Sequence, residues 1–318
     1  MIFEFMDHDL TGLMDSSTPR FTSAQIKCYM KQLLEGMHYV HANNVLHRDI
    51  KGANLLLNNR GELKLGDFGL ARRFDRDKVE HFTNRCITLW YRPPELLLGT
   101  TRYTTAVDMW SIGCVFAEIL LRAPLLPGRD EPDQFNRICN MCGTPVEENW
   151  AGVSKLPHFD KMVTQTRRPP CARKLRQEVG GRLPDQQAMD LLDKLLTLDP
   201  KDRIDAATAL DHDYFWTDPM PAQPGQLPVY KSSHELARKK KEMEGAAGGA
   251  AAGPTRPPPA AGGTFARPRL PQPQAGGGFT GGVPKRPFGV GPAPTAPTAA
   301  GAQGNSQAQV AQKLPRYE

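Results

Sequence analysis

"VLHRDIKGANLLLNNRGELKLGDFG", residues 45–69, packs a histidine, two aspartates, two lysines and three asparagines among apolar runs. The stretch divides into a polar loop (residues 47–54), two short strands (Leu55–Leu57 and Leu63–Leu65) and an acidic turn, Asp67-Phe68-Gly69. Asn58-Asn59-Arg60-Gly61 is turn chemistry, and the apolar positions on either side alternate, so the two runs read as a β-hairpin. A hairpin of that length brings Asp67 back beside the loop that carries Asp49 and Asn54. Two carboxylates and a carboxamide then converge on one spot.

Asp67 and Asn54 are hard oxygen ligands suited to Mg²⁺ beside phosphate oxygens, and Asp49 lies where it could orient an incoming hydroxyl. Lys51 can reach a γ-phosphate. Asp and Gly often do no more than make a turn, so Asp67-Phe68-Gly69 alone is a weak signal. A His-Arg-Asp loop with an Asn five residues after its Asp, followed by Asp-Phe-Gly across a hairpin, is much more specific. In that order the two motifs resemble the protein-kinase signature, and the roles above come from that resemblance. Ile50 stands where the signature has Leu.

At 318 residues the chain has room for one or two domains. Residues 1 to about 234 read as globular. Residues 245–318 hold 13 Pro and 15 Gly, a density that marks low-complexity disorder. Residues 238–318 carry 11 Lys/Arg against 3 Asp/Glu, so the basic balance of the whole chain, +6, belongs to this tail. Arg238-Lys239-Lys240-Lys241 and Pro284-Lys285-Arg286-Pro287 read as a nuclear-import address, a nucleic-acid contact or the solvated end of a helix. No signal peptide and no apolar run of membrane-spanning length is expected, which points to a soluble intracellular protein with no membrane partner. The six cysteines do not form a disulfide framework pattern. Cys139 and Cys142 are the one close pair and read as helix packing, with metal binding the lesser alternative.

Two long helices frame the loop. Ile26, Met30, Leu33, Met37 and Val40 recur at three- and four-residue spacing in residues 23–43, an amphipathic helix that runs into the polar loop and would hold it rigid. Residues 105–122, "TAVDMWSIGCVFAEILLR", are apolar nearly all round and read as a central buried helix. Asp108 near its start therefore needs hydrogen-bond donors.

"FEFMDHDL", "DFGLARRF", "TLWYRPPELLLG", "DMWSIGC", "YFWTDPMP" and "SSHELARKKK" together resemble cyclin-dependent kinases of the transcription-elongation group, and in particular the plant C-type kinases that pair with T-type cyclins. The resemblance runs from Met1 to about Lys241. It implies a protein-kinase-like α+β fold: a mainly α-helical large lobe with short β-hairpins, followed by a disordered C-terminal tail. The implied divisions are a hinge remnant (1–8), the large lobe (9–218), a C-terminal extension ending in the basic run (219–244) and the Pro/Gly/Ala-rich tail (245–318).

Residue by residue, the resemblance implies that Asp49 is the catalytic base, Lys51 contacts phosphate and Thr88 bonds to the catalytic loop. Asn54 and Asp67 match the magnesium ligands, and Glu4 to Met6 the hinge that meets adenine, with Phe3 at the back of the nucleotide pocket. Thr83 matches the activation-segment phosphosite. Arg48 and Arg72 match two of the three arginines that grip its phosphate, a bidentate task suited to guanidinium. Ile87 matches the position whose backbone helps receive a proline after the target hydroxyl. Asp108, Glu95 and Arg203 take structural roles: Asp108 holds the catalytic-loop backbone, and Glu95 pairs with Arg203.

The implied activity is that of a transferase, a cyclin-dependent serine/threonine kinase using ATP and Mg²⁺ on Ser-Pro and Thr-Pro sites. The implied substrate is the C-terminal repeat domain of RNA polymerase II, in the nucleus, with a T-type cyclin as partner and no direct nucleic-acid binding by the lobe. These kinases carry a strand-rich small lobe before "FEFMDHDL", with a glycine-rich loop, a strand lysine and a helix glutamate. The small lobe is expected to be absent from these 318 residues, which alone are expected not to be a competent kinase. The alternative is a non-catalytic docking module. Gly66 also departs from the resemblance, which has Ala before the Asp-Phe-Gly turn, and the glycine is expected to loosen that turn slightly.

Overall fold

The apolar residues fall along the chain in blocks of helical period interrupted by short alternating runs, and the elements follow those blocks. The computed structural model describes residues 3–230 apart from 16–19, 76, 79, 165–168 and 184. The basic runs, "SSHELARKKK" and the Pro/Gly-rich tail lie outside the described residues.

The first elements are β1 (His8–Asp9), α1 (Leu10–Asp15) and the long α2 (Ser23–Ala42). β2 (Val45–Leu46) leads into the polar loop, followed by β3 (Leu55–Leu57), β4 (Leu63–Leu65) and β5 (Arg72–Arg73). A long connection then reaches α3 (Pro94–Leu97), α4 (Ala106–Leu121) and α5 (Glu131–Cys142). The remaining helices are α6 (Leu175–Val179), α7 (Gln186–Leu195) and α8 (Ala206–Leu210).

Helix α2 starts where the sequence supplies a capping box. Thr22 Oγ1 accepts from Gln25 N at 3.3 Å, and Gln25 Oε1 accepts from Thr22 N at 2.8 Å, which satisfies two amides that the first turn leaves without helical partners. Ile26, Met30, Leu33 and Met37 are buried on one face, while Val40 is only partly covered. Helix α4 is buried on every side. Ser111 Oγ donates to Tyr91 O and Val107 O at 2.9 and 3.2 Å, and Glu118 accepts from the Tyr91 hydroxyl at 2.7 Å, whereas the buried Trp110 Nε1 has no hydrogen-bond partner among the described residues. Each large aliphatic side chain placed in this core contributes about 1.5–3 kcal/mol. The core is thus centred on α4, with α2 and α7 packed against it.

The hairpin pairs Leu55 with Leu65, Leu56 with Lys64 and Leu57 with Leu63, and β1 adds antiparallel to β3 to give the order β1-β3-β4. A separate two-stranded ribbon pairs β2 with β5. At the hairpin turn Asn58 Oδ1 accepts from the amides of Arg60 and Glu62, and Gly61 takes φ 79°, a conformation open to glycine. Gln32 on α2 clasps the hairpin from behind, donating to Gly61 O at 3.0 Å and accepting from Leu63 N at 2.9 Å. The strands that flank the polar loop are therefore fixed to the helix that precedes it.

All six cysteines are free thiols, and Cys139 and Cys142 lie buried on α5. Among the described residues no three His, Cys, Asp or Glu side chains gather as a metal centre, and no helix is long and apolar enough to cross a membrane.

Candidate active site

The polar loop is anchored from below by one buried carboxylate. Asp108, fully buried in the first turn of α4, accepts from His47 N at 2.9 Å through Oδ2 and from Arg48 N at 2.8 Å through Oδ1. His41 Nε2, at the end of α2, lies 2.9 Å from the same Oδ2. Ile50, with no exposed surface, pins the loop's middle into the core. His47 is equally buried: its Nε2 donates to Gly66 O at 3.1 Å and its Nδ1 accepts from Asp49 N at 3.3 Å. These contacts define a neutral imidazole, and burial above all pulls its pKa down, with Asp108 opposing.

Above this platform four of the residues singled out in the sequence share one network. Asp49 Oδ1 accepts from Thr88 Oγ1 at 2.9 Å, and Oδ2 accepts from Lys51 Nζ at 2.7 Å and from Asn54 Nδ2 at 3.0 Å. Lys51 also donates to Thr88 Oγ1 at 3.3 Å. Burial works to raise the Asp49 pKa, but the bonds from Lys51, Thr88 and Asn54 outweigh it, and the carboxyl is held below its ordinary value. At neutral pH Asp49 is a carboxylate aimed by three donors.

Asp67 is the member that the structure sets apart. Gly66 N donates to Asn54 O at 2.8 Å, so the acidic turn is tied to the loop by backbone. The Asp67 carboxylate itself is exposed and accepts from Gly69 N at 3.2 Å, because Asp67 takes a left-handed conformation (φ 56°, ψ 75°) that caps its own turn. The Asn54 amide group spends both N–H donors on Asp49, to its backbone oxygen at 2.8 Å and to its side chain, which leaves Oδ1 as a bare acceptor among the described residues. One exposed carboxylate and one bare carboxamide oxygen form a donor set that fits Mg²⁺ shared with phosphate oxygens, since that ion is commonly held by one or two protein oxygens and completes its shell elsewhere. Gly66 is less loose than its composition implies. Its N–H and C=O are both bonded, and a Cβ there would lie 3.1 Å from Leu56 Cδ1, tighter than ordinary contact.

Met6 is buried, and Glu4 is exposed and pairs with Lys64 on β4 at 3.0 Å. Phe3 and Phe5 are 79% and 72% exposed, and Phe68 and Leu70, in and just after the acidic turn, are also open.

Thr83 lies exposed, its Oγ1 accepting from Arg85 N at 3.2 Å. Arg48 is buried and donates to Leu70 O at 2.7 Å and to the Tyr103 hydroxyl at 2.9 Å, whereas Arg72 is exposed and bonds the adjacent Ala71 O. Arg48 thus reaches, through the Tyr103 hydroxyl, the Thr83 carbonyl, while the Arg72 side chain donates to its neighbour Ala71 O. Ile87 is buried with φ 65°, and its carbonyl accepts from Arg92 Nε and Nη2 at 3.2 and 3.1 Å. Glu131 holds the same guanidinium at 2.7 Å. Glu95 and Arg203 form a bidentate pair at 2.8 and 3.0 Å, fully buried, with further bonds from Arg203 to Ala106 O and Leu198 O.

Sequence reasoning missed His41, Arg92 and Tyr103. Arg92 stood inside the quoted run "WYRPPELLLG", but nothing local marks its guanidinium as the partner of a carbonyl five residues back. His41 and Tyr103 meet their partners only across the fold.

The family described as protein kinase domain matches residues 1–215. The chain is 58% identical over 244 residues to "Cyclin-dependent kinase C-1" of Oryza sativa subsp. japonica, an alignment that covers 77% of this chain and 46% of the relative. It therefore spans less than half the length of that curated relative. Among solved structures it is similar to the yeast RNA Pol II CTD kinase CTDK-1 complex, with a TM-score of 0.67 at 40% identity, covering 71% of this chain and 73% of that one. A second similar structure is the CAK complex of Chaetomium thermophilum bound to ATP-gamma-S, with a TM-score of 0.67 at 43% identity, covering 71% and 70%.

Proposed function

We propose, from the premise that the chain belongs to the protein kinase domain family and is related to the plant C-type cyclin-dependent kinases, that it carries the large-lobe half of a cyclin-dependent serine/threonine kinase acting in transcription. The observation that carries this reading is the Asp49 carboxylate, held by Lys51, Thr88 and Asn54 on a loop whose backbone Asp108 anchors. The reaction it fits is transfer of the γ-phosphoryl group of ATP to a serine or threonine hydroxyl: the new bond runs from hydroxyl oxygen to phosphorus, the β–γ bridge breaks, and ADP leaves.

In that reaction Asp49 accepts a hydrogen bond from the incoming hydroxyl and takes its proton as the bond to phosphorus forms. Lys51, bonded to Asp49, would contact the γ-phosphate, where its charge offsets that of the transferred group. Thr88 fixes the Asp49 carboxylate in one orientation and so keeps the attack in line. Asn54 and Asp67 would hold Mg²⁺, which neutralises phosphate charge when bound. Glu4 to Met6 would meet adenine, and Arg48 and Arg72 would take the phosphate of Thr83. The finer reading adds a cyclin partner, in line with the relative's name, and the RNA polymerase II C-terminal repeats as substrate, in line with the CTD kinase neighbour, while the T-type of the cyclin, the Ser-Pro sites and a nuclear location rest on the sequence resemblance.

The exposed Phe3, Phe5, Phe68 and Leu70 favour a second lobe covering this surface and closing the nucleotide cleft. Without that cover, water screens the charge contacts on the phosphates, and an interaction of about 4 kcal/mol near a protein surface falls to about 1 kcal/mol in bulk water. Residues 1–318 alone are accordingly expected to transfer little phosphate. The test is phosphate transfer from Mg²⁺-ATP to a Ser-Pro repeat peptide by the chain with a small lobe supplied ahead of Phe3 and a T-type cyclin bound. Asp49→Asn should lower turnover about 10²–10⁴-fold while nucleotide affinity holds. Wild-type turnover in that variant would overturn the assignment.

A further inference from the structure

Thr83 presents an exposed side chain, yet its backbone is tied to the catalytic loop. The Tyr103 hydroxyl donates to Thr83 O at 2.7 Å and accepts from Arg48 Nη1 at 2.9 Å. The Cys86 thiol donates to the same carbonyl at 3.4 Å. One residue earlier, Phe82 N donates to Thr101 O at 2.8 Å, and the Phe82 and Tyr103 rings lie 5.4 Å apart. A single phenol therefore joins the arginine beside Asp49 to the carbonyl of the residue read as the phosphosite. Burial, above all, pushes the Tyr103 pKa well up, so the phenol stays protonated and keeps donating.

We propose that Tyr103 is a positioning residue for a phosphate on Thr83: its hydroxyl holds the Thr83 backbone against Arg48, so that the phosphate arrives with the guanidinium already in reach. The proposal rests on reading Thr83 as the phosphosite. Two features of the geometry support it. The relay ends on the Thr83 carbonyl, so a phosphate on Oγ1 leaves it intact. Arg48 uses Nε on Leu70 O and Nη1 on Tyr103, which leaves Nη2 without a hydrogen-bond partner among the described residues and free to meet a phosphate oxygen. A segment anchored in advance has already given up the backbone freedom that a free loop would lose on gripping the phosphate.

The experiment is a ³¹P NMR pH titration of residues 1–318 carrying phosphothreonine at position 83, as wild type, Tyr103→Phe and Phe82→Leu. A guanidinium contact favours the dianion, so the wild-type phosphate should titrate below its ordinary second pKa of about 6. In Tyr103→Phe the midpoint should return toward that value, and the Phe82 amide should exchange with solvent roughly tenfold faster, on the scale of one lost hydrogen bond. Phe82→Leu keeps the hydroxyl but removes a ring whose centroid lies 6.0 Å from the Arg48 guanidinium carbon, so it should move the midpoint less than Tyr103→Phe does. Amide protection in α4 confirms in each variant that the core is folded. A shifted wild-type midpoint left unmoved by Tyr103→Phe, or moved as far by Phe82→Leu, overturns the positioning role alone. An ordinary midpoint in the wild type overturns the Thr83–Arg48 reading and the proposal with it.

Discussion

Arg92 caps the carbonyl of Ile87: two guanidinium nitrogens donate to it at 3.2 and 3.1 Å, and Ile87 keeps φ at 65° to point it there. On the reading of Ile87 as the position that receives the residue after the target hydroxyl, that residue would bring a backbone N–H to a spot with no free acceptor, and an unsatisfied buried donor costs about 1–3 kcal/mol. Proline has no N–H and avoids the cost. With a small lobe and a cyclin supplied, Arg92→Ala should free the carbonyl and lower the preference for Ser-Pro over Ser-Ala peptides, read as a ratio of kcat/KM, by about tenfold, the equivalent of roughly 1.4 kcal/mol. An unchanged ratio would show that Ile87 does not set the choice.

Glu95 and Arg203 are both almost wholly buried, and the pair ties α3 to the loop before α8. Removing one partner leaves an uncompensated charge in the core. Arg203→Ala should destabilise the protein by about 3–5 kcal/mol in urea unfolding, and replacing both members with apolar residues of similar volume should recover much of that loss. A loss under about 1 kcal/mol would mean that water reaches Glu95 when the arginine is gone.

His47 predicts a pH dependence of stability. Its folded pKa lies below the unfolded value, so the unfolded chain binds the proton first as pH falls. The contribution is present above about pH 6.5 and is lost as pH drops below that value toward the lower folded pKa. Asp49 adds a separate step, because its depressed pKa makes its contribution disappear only in the acid range of carboxylates. Stability measured by denaturant midpoint from pH 8 to pH 5 should fall, and His47→Asn should flatten that slope. A slope that persists in the variant would assign it to other groups.

Gly52 lies against α1, where an added Cβ would overlap Thr11 Oγ1 and come within 3.3 Å of Thr11 N. Gly52→Ala should therefore cost about 1–3 kcal/mol through overpacking. Thr11→Ala removes the Oγ1 and should restore part of the loss in the double variant, a coupling that a thermodynamic cycle measures. Additive single effects would place the strain elsewhere.

Much of the fold was legible from local pattern. The spacing of Ile26, Met30, Leu33 and Met37 announced α2, the apolar run after Thr105 announced α4, and turn chemistry between Leu57 and Leu63 announced the hairpin, whose register the structure supplies. The order of Asp49, Asn54 and Asp67 on either side of that hairpin pointed to the site. Such features depend on neighbours a few residues away, and short-range periodicity encodes them directly. The tertiary structure decided how the side chains are used. It turned the Asp67 carboxylate onto its own Gly69 amide, gathered His41, His47 and Arg48 on Asp108, closed Arg92 over Ile87 and set the Tyr103 hydroxyl between Arg48 and Thr83. Asp108 lies some sixty residues from the loop it holds. The left-handed turns at Asp67 and Ile87 are backbone states that composition does not mark. Hydrogen bonds act over about 3 Å, so partners distant in sequence meet only once the core has packed and brought them within reach.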